Sequence, residues 1–268
     1  MLSCTRQNAS QRTKIISLHP AITETIYALN AQEELLGRST YCTTPKTVQR
    51  LPEYGTSLTP NFEAIAKDQP RIVLTGQSQG IPIKQLKKVA TVEQLPWLTL
   101  SEVVQSITHL GTIVHRETEA QALAQKFTER FQSRASSGSK QILVLMDGSE
   151  ITKGQLWFIR SDSIHGAAIE AAGYRNAAPS RFNGPPSMSV ERLLQQDPDM
   201  ILLLHNGQMS PQSKDQWIQS FDALSSLSAV KNKRIAVIEG ENIMGVGPGI
   251  LTLVEQIRET GQALLKAE

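Results

Sequence analysis

What is scarce in this chain of 268 residues excludes several classes of activity. Cysteine occurs twice, at Cys4 and Cys42, too few for a disulfide framework or a cysteine metal box. Lys and Arg (27) nearly balance Asp and Glu (25), leaving a net charge of +2. No basic cluster interleaves with aromatics, so the electrostatic footprint of a nucleic-acid binder is missing. No apolar run approaches the ~20 residues that span a bilayer. The sequence contains no Gly-x-Ser-x-Gly elbow, Walker loop or His-Glu-x-x-His. The five histidines, His19, His109, His115, His165 and His205, show no close spacing, which argues against three or four ligands converging on a bare metal ion. Aromatics are only 5% of the chain, so their positions carry weight.

The remaining composition, 40% apolar and 19% charged, is that of an ordinary globular protein, long enough for two lobes of roughly 110–130 residues. Residues 1–12 read as a polar leader. Within it, Met1-Leu2-Ser3-Cys4 looks like the stump of a bacterial lipoprotein signal, with Cys4 receiving the lipid; the alternative is a chance cysteine.

From Lys14 onward short β-branched runs alternate with helical spacings. Lys14–Leu18, Leu35–Gly37, Arg71–Leu74 and Trp97–Leu100 read as strands, and Thr23–Leu29, Asn61–Asp68 and Ile83–Val89 as helices. This alternation predicts a parallel sheet covered by helices over 13–115. Ala120, Leu123, Ala124, Phe127 and Phe131 then recur at three-to-four spacing, predicting a long connecting helix over 116–138. It ends at Ser136-Ser137-Gly138-Ser139, a breaker cluster. At Gln141–Met146 a strand reopens the alternation, so 139–268 forms a second lobe. A shift of 128 positions lays Asn61–Leu74 on Ser189–Leu202 without a gap, matching a capping residue, a Glu and a Pro in both copies. Glu63 and Glu191 thus fall in first helical turns, where a carboxylate interacts favourably with the helix dipole. As a pair, one per lobe, they also suit docking onto a symmetric partner that carries Arg or Lys.

Ile15–Leu29, Leu36-Gly37-Arg38-Ser39-Thr40-Tyr41-Cys42, Leu51-Pro52-Glu53-Tyr54-Gly55 and Asn61-Phe62-Glu63-Ala64-Ile65 resemble the helical-backbone (class III) periplasmic binding proteins for cobalamin, haem and ferric siderophores. The cobalamin-binding branch is the nearest, although the Gly76–Gly80 loop lacks a Trp expected there. The resemblance implies two Rossmann-like lobes joined by one long helix, with ligand in the cleft between them. It implies an extracytoplasmic, non-enzymatic monomer that carries a metal chelate and has no cofactor of its own. It further implies an ABC permease dimer, with its ATPases, as partner, whose arginines receive Glu63 and Glu191.

In a parallel sheet ligand sits beyond the strand carboxyl ends. The candidate contacts are accordingly His19, Pro20, Tyr41, Cys42, Tyr54, Gly55, Ser57 and Gln77 in the first lobe. In the second they are Trp157, Phe158, His205, Asn206, Met244 and Gly245. Aromatic loop residues invite a flat, largely apolar ligand, with Tyr41 and Trp157 as the leading pair. Cobalamin or a related corrinoid leads; a ferric siderophore, which would need cationic walls such as Arg160, Arg175 and Arg181, or haem is the alternative. A rival class is an α/β enzyme with a small-molecule cleft: Gly245-Val246-Gly247-Pro248-Gly249 follows a strand, but Ile250 stands where the third fingerprint glycine would fall. An interaction-only protein is the third reading, and it would not need the aromatics.

Overall fold

The leucine and β-branched runs form the strands of two separate sheets in a computed structural model that describes residues 14–146, 151, 153–179 and 184–266. Cys4 and the leader 1–12 lie outside the described residues, as does Arg181. Two units emerge: residues 1–97 with 101–126, and residues 98–100 with 127–268.

In the first unit the order is β1 (Ile15–Ser17), α1 (Pro20–Ala28), β2 (Leu35–Arg38), α2 (Phe62–Asp68), β3 (Ile72–Gly76), α3 (Ile83–Leu86), β4 (Val92–Leu95), α4 (Leu100–Ile113) and α5 (Glu117–Arg130), the last helix running on into the second unit. The strands line up as β2-β1-β3-β4 and every pair is parallel. β3 is buried throughout, as expected of a strand covered on both faces. Ile16, Leu18, Ile65, Val73 and Leu86 pack together beside it.

The second unit contains β5 (Gln141–Met146), β6 (Leu156–Trp157), α6 (Ile164–Ala171), β7 (Arg175–Asn176), β8 (Ser187–Met188), α7 (Val190–Gln196), β9 (Met200–Asn206), α8 (Pro211–Gln219), α9 (Ser228–Lys231), β10 (Ile235–Gly240) and α10 (Leu253–Lys266). Its main sheet runs β7-β5-β9-β10, all parallel, which repeats the first unit's arrangement. β6 and β8 form a small antiparallel pair, and the residue after β6, Phe158, bridges to Leu145 of β5.

The internal repeat is structural. Asn61 Oδ1 accepts from Ala64 N at 3.0 Å, and Ser189 Oγ accepts from Arg192 N at 3.3 Å, so α2 and α7 carry equivalent N-caps. Both helices end in a left-handed residue, Gln69 (φ 46°) and Asp197 (φ 39°), whose amides close onto Ile65 and Leu193. Each pair is again 128 positions apart.

Two expectations about elements need correction. The strand read at Trp97–Leu100 lies earlier, at Val92–Leu95. Pro96 has no amide with which to continue the ladder, and its carbonyl accepts from Ser106 Oγ at 2.6 Å instead. The connecting helix expected over 116–138 is shorter, Glu117–Arg130, and His115 (φ 54°) separates it from α4. Beyond Phe131, Arg134 N donates to Glu170 O and Ser136 N to Ser139 Oγ, both at 3.0 Å. These serine-rich contacts draw the backbone out of the helical pattern. No helix among the described residues is long and apolar enough to cross a membrane.

Candidate functional site

A sheet ordered β2-β1-β3-β4 changes its winding direction between β1 and β3, and ligands of such sheets bind beyond the carboxyl ends at that point. His19 follows β1 there. Its ring stacks on Trp97, with centroids 6.1 Å apart and planes 18° off parallel. Gly76, ending β3, makes the arrangement feasible, because a β-carbon there would lie 2.5 Å from His19 Cδ2. Burial holds the His19 ring neutral, lowering its pKa to about 4. His19 Nδ1 and Trp97 Nε1 are both buried without a hydrogen-bond partner. An orphaned buried polar atom costs about 1–3 kcal/mol, and two in one stacked pair mark a place where a polar partner would be favourable. Trp97 was missing from the sequence-derived set because it was read as strand.

Around this point the loops bring up an exposed apolar surface. Tyr41 is 70% exposed and Leu58 55%. Leu58 lies over Gly80; Gln77, in the same loop as Gly80, is exposed, and Pro20 and Ser57 are half-buried. Gly55 (φ 80°) turns the chain so that its carbonyl accepts from Thr40 N at 2.9 Å, which ties the Tyr41 loop to the Leu58 turn. Leu58 was not expected either; an exposed leucine between Ser57 and Thr59 was its only signal.

Three expected contacts belong to the interior instead. Cys42 is fully buried, its Sγ accepting from Thr23 Oγ1 at 3.1 Å and approaching Ser17 O at 3.8 Å; burial raises its thiol pKa. Tyr54 is 2% exposed in the core, and its hydroxyl donates to Asp68 Oδ2 at 2.6 Å. Phe158 is 1% exposed among Leu145, Leu203 and Phe221. Cys42 and Phe158 follow strands, as ligand contacts would, but all three side chains turn inward.

The second unit presents Trp157, half-buried on β6, and His205 and Asn206 at the carboxyl end of β9. The turn after them is anchored by Glu239, which accepts from Lys214 Nζ at 2.7 Å and Met209 N at 2.9 Å. Met244 and Gly245 are half-buried in the loop after β10. That loop closes through Gly245 N donating to Asn242 O at 2.8 Å, and through His165 Nε2 donating to Ile243 O at 3.4 Å. A cavity of about 210 Å³ lies between this loop and the start of α10, lined by Asn242, Ile243, Thr252 and Gln256. It has room for a few waters and is too small for a macrocyclic chelate. Arg160 is engaged, donating through Nε and Nη2 to both oxygens of Asp162 at 2.7 and 2.5 Å. No group of three or more His, Cys, Asp or Glu capable of holding a metal ion occurs among the described residues.

His165, like His19, is buried neutral, its pKa lowered to about 4 chiefly by desolvation. The unfolded chain binds those protons near pH 6.5, so stability should fall as pH drops from 6.5 towards 4. His165 alone should remove roughly 3 kcal/mol across that window. Melting temperature against pH measures this, and the slope should flatten in His165→Gln. A pH-independent melting point would contradict the buried neutral state.

Glu63 and Glu191 sit at the second position of their helices, both exposed. Ser189 and the Glu191 amide hydrogen-bond the Glu191 carboxylate and hold it below the ordinary range.

The family described as periplasmic binding protein matches residues 15–241. The substrate-binding lipoprotein YvrC of Bacillus subtilis, assigned to an ABC transporter, is 27% identical over 92% of this chain and 79% of its own length. The high-affinity heme uptake system protein IsdE of Staphylococcus aureus is 26% identical over 89% and 85%. The vitamin B12 binding protein BtuF of Vibrio cholerae superposes with a TM-score of 0.72 at 21% identity, covering 94% of this chain and 98% of that one.

Proposed function

Because the chain belongs to the periplasmic binding protein family, we propose that it captures a corrinoid of the cobalamin type and delivers it to an ABC permease. It is a substrate-binding protein of an ABC importer rather than an enzyme, and it works outside the cytoplasm. The observation that carries the corrinoid reading is the uncharged surface that Tyr41, Ser57, Leu58 and Gln77 present at the strand ends of the first unit. Exposed Tyr41 and Leu58 offer apolar surface, and Ser57, Gln77 and Asn206 offer uncharged hydrogen-bonding groups. No Lys or Arg occurs in 77–80, 207–209 or 241–247. A corrinoid is rimmed by neutral amides, whereas haem brings two carboxylates and ferric catecholates are polyanionic, and both would call for cations. Haem is the second reading, favoured by the likeness to the heme uptake protein and by His205 and Met244 at one edge.

Melting the purified chain against cyanocobalamin, haemin and a ferric hydroxamate separates these readings. Cyanocobalamin at 100 times its dissociation constant should stabilise it by ~2.7 kcal/mol. It should also quench Trp97, whose ring borders the site. A shift with haemin alone would replace the corrinoid by haem.

Glu63 and Glu191 are the proposed permease contacts. Each is exposed and each starts a helix of equivalent construction in its own unit.

A further inference from the structure

A loop that presents an aromatic side chain to solvent needs fixing from beneath, and in the first unit one side chain supplies this. Arg38, the last residue of β2, is 5% exposed. Its Nη1 donates to the carbonyl oxygens of Ser39 at 3.1 Å, Cys42 at 3.3 Å and Thr40 at 3.5 Å. Its Nη2 donates to Glu53 Oε1 at 2.7 Å and to Gln49 O at 3.5 Å. The second Glu53 oxygen accepts from Thr40 Oγ1 at 3.2 Å, closing a ring of contacts from residue 39 to residue 53. The backbone adds Arg38 N to Pro52 O at 3.0 Å and Tyr54 N to Arg38 O at 2.9 Å. Ser39 and Cys42 are buried on either side of Tyr41, whose own side chain is the most exposed large apolar group described.

We propose that Arg38 is a positioning residue for ligand capture, its guanidinium fixing the 39–55 loop so that Tyr41 already stands in its ligand-contacting attitude before ligand arrives. The proposal rests on reading Tyr41 as a ligand contact. Burying a guanidinium is costly, and here its carboxylate partner Glu53 is half-exposed, so stability alone does not account for the choice of residue. Its planar fork of five donors can span several carbonyls and a carboxylate at once, which a lysine ammonium cannot. A loop ordered in advance loses less entropy when ligand binds, and that gain appears as affinity.

The test is a double-mutant cycle of Arg38→Lys and Tyr41→Ala, read by binding of cyanocobalamin and, in parallel, haemin. Arg38→Lys should weaken binding about tenfold while Tyr41 is present, mainly through slower association, and less than about twofold in the Tyr41→Ala background. Additive losses would overturn the proposal. If Arg38→Lys does not fold, Glu53→Gln keeps every carbonyl contact and should give a smaller loss with the same dependence on Tyr41. Failure of the unaltered chain to bind either probe would sink the ligand readings and leave the clamp open to a separate measurement. Fluorine NMR of 3-fluorotyrosine protein, with the Tyr41 line assigned through Tyr41→Phe, should show one narrow line in the unaltered chain. In the Arg38→Lys or Glu53→Gln chain that line should broaden or split while Tyr27 and Tyr174 stay put. An unchanged Tyr41 line would overturn the proposal whatever the ligand is.

Discussion

Cells that depend on the Glu63→Gln/Glu191→Gln chain should lose chelate uptake, while the purified variant binds ligand and melts as the unaltered protein does. The reasoning starts from what the two carboxylates do not do. The amides that most need a partner at the starts of α2 and α7 already have one, in Asn61 Oδ1 and Ser189 Oγ. Removing the glutamate charge therefore leaves both helices capped, and the lost dipole interaction is a small, exposed one. Neither residue lies in a core or among the strand-end loops that hold Tyr41, Gln77, His205 or Met244. Glu191 is held below the ordinary carboxylate range, so it remains ionised throughout the physiological range and is available to a cationic partner. Burying such a charge against arginine on a permease makes its removal expensive for the complex alone. The single variants should each lose part of the activity, because the carboxylates belong to different units and share no partner. Reversal to Lys should be worse, since it sets cation against cation. Normal uptake by the double Gln chain would end the docking reading; weakened ligand binding would move the glutamates into the site.

Phe158→Ala should be among the most destabilising single changes in the second unit. The ring is 1% exposed, and Phe158 N is fixed by a 2.9 Å bond to Pro186 O. Leu156 and Phe158 are both buried while Trp157 between them is half-exposed, the alternation of an extended segment with one face inward. Deleting a buried phenylalanine ring costs about 3–5 kcal/mol when the surroundings cannot collapse. In a chain of this size that lowers the melting temperature by roughly 10 °C. Trp157→Ala, on the other face, should do the reverse, melting nearly normally and weakening ligand binding. Equal melting losses for the two variants would show that the alternation has been assigned wrongly.

Much of the scaffold is legible in sequence because it is local. The caps at Asn61 and Ser189, the apolar residue that each short helix buries (Ile65, Leu193) and the proline before each following strand are all short-range signals, and the structure repeats them faithfully. The site is less legible because burial is decided at long range. Tyr54 looks like a loop aromatic until its hydroxyl is seen to reach Asp68, fourteen residues away. Cys42 and Phe158 likewise follow strands and turn inward. Trp97 was hidden by the opposite error: a β-like run past Pro96 masked a residue placed by its stack on His19. Arg38 read as one letter of a motif, and no pattern in sequence reveals that three carbonyls converge on its Nη1.

The repeat also bears on how the two halves have diverged. In the first unit Ile15 pairs with Ile72, whereas in the second Leu143, the counterpart of Ile15, pairs with Ile201, one position beyond the counterpart of Ile72. Because successive strand residues face opposite sides of a sheet buried on both faces, a shift of one register exchanges the two covering layers that each side chain meets. The halves thus share a plan without sharing its register. A chimera that swapped β3 for β9 would keep its leucines buried but turn each toward the opposite helix layer, so the two copies are not interchangeable strand for strand even though their helices still match cap for cap.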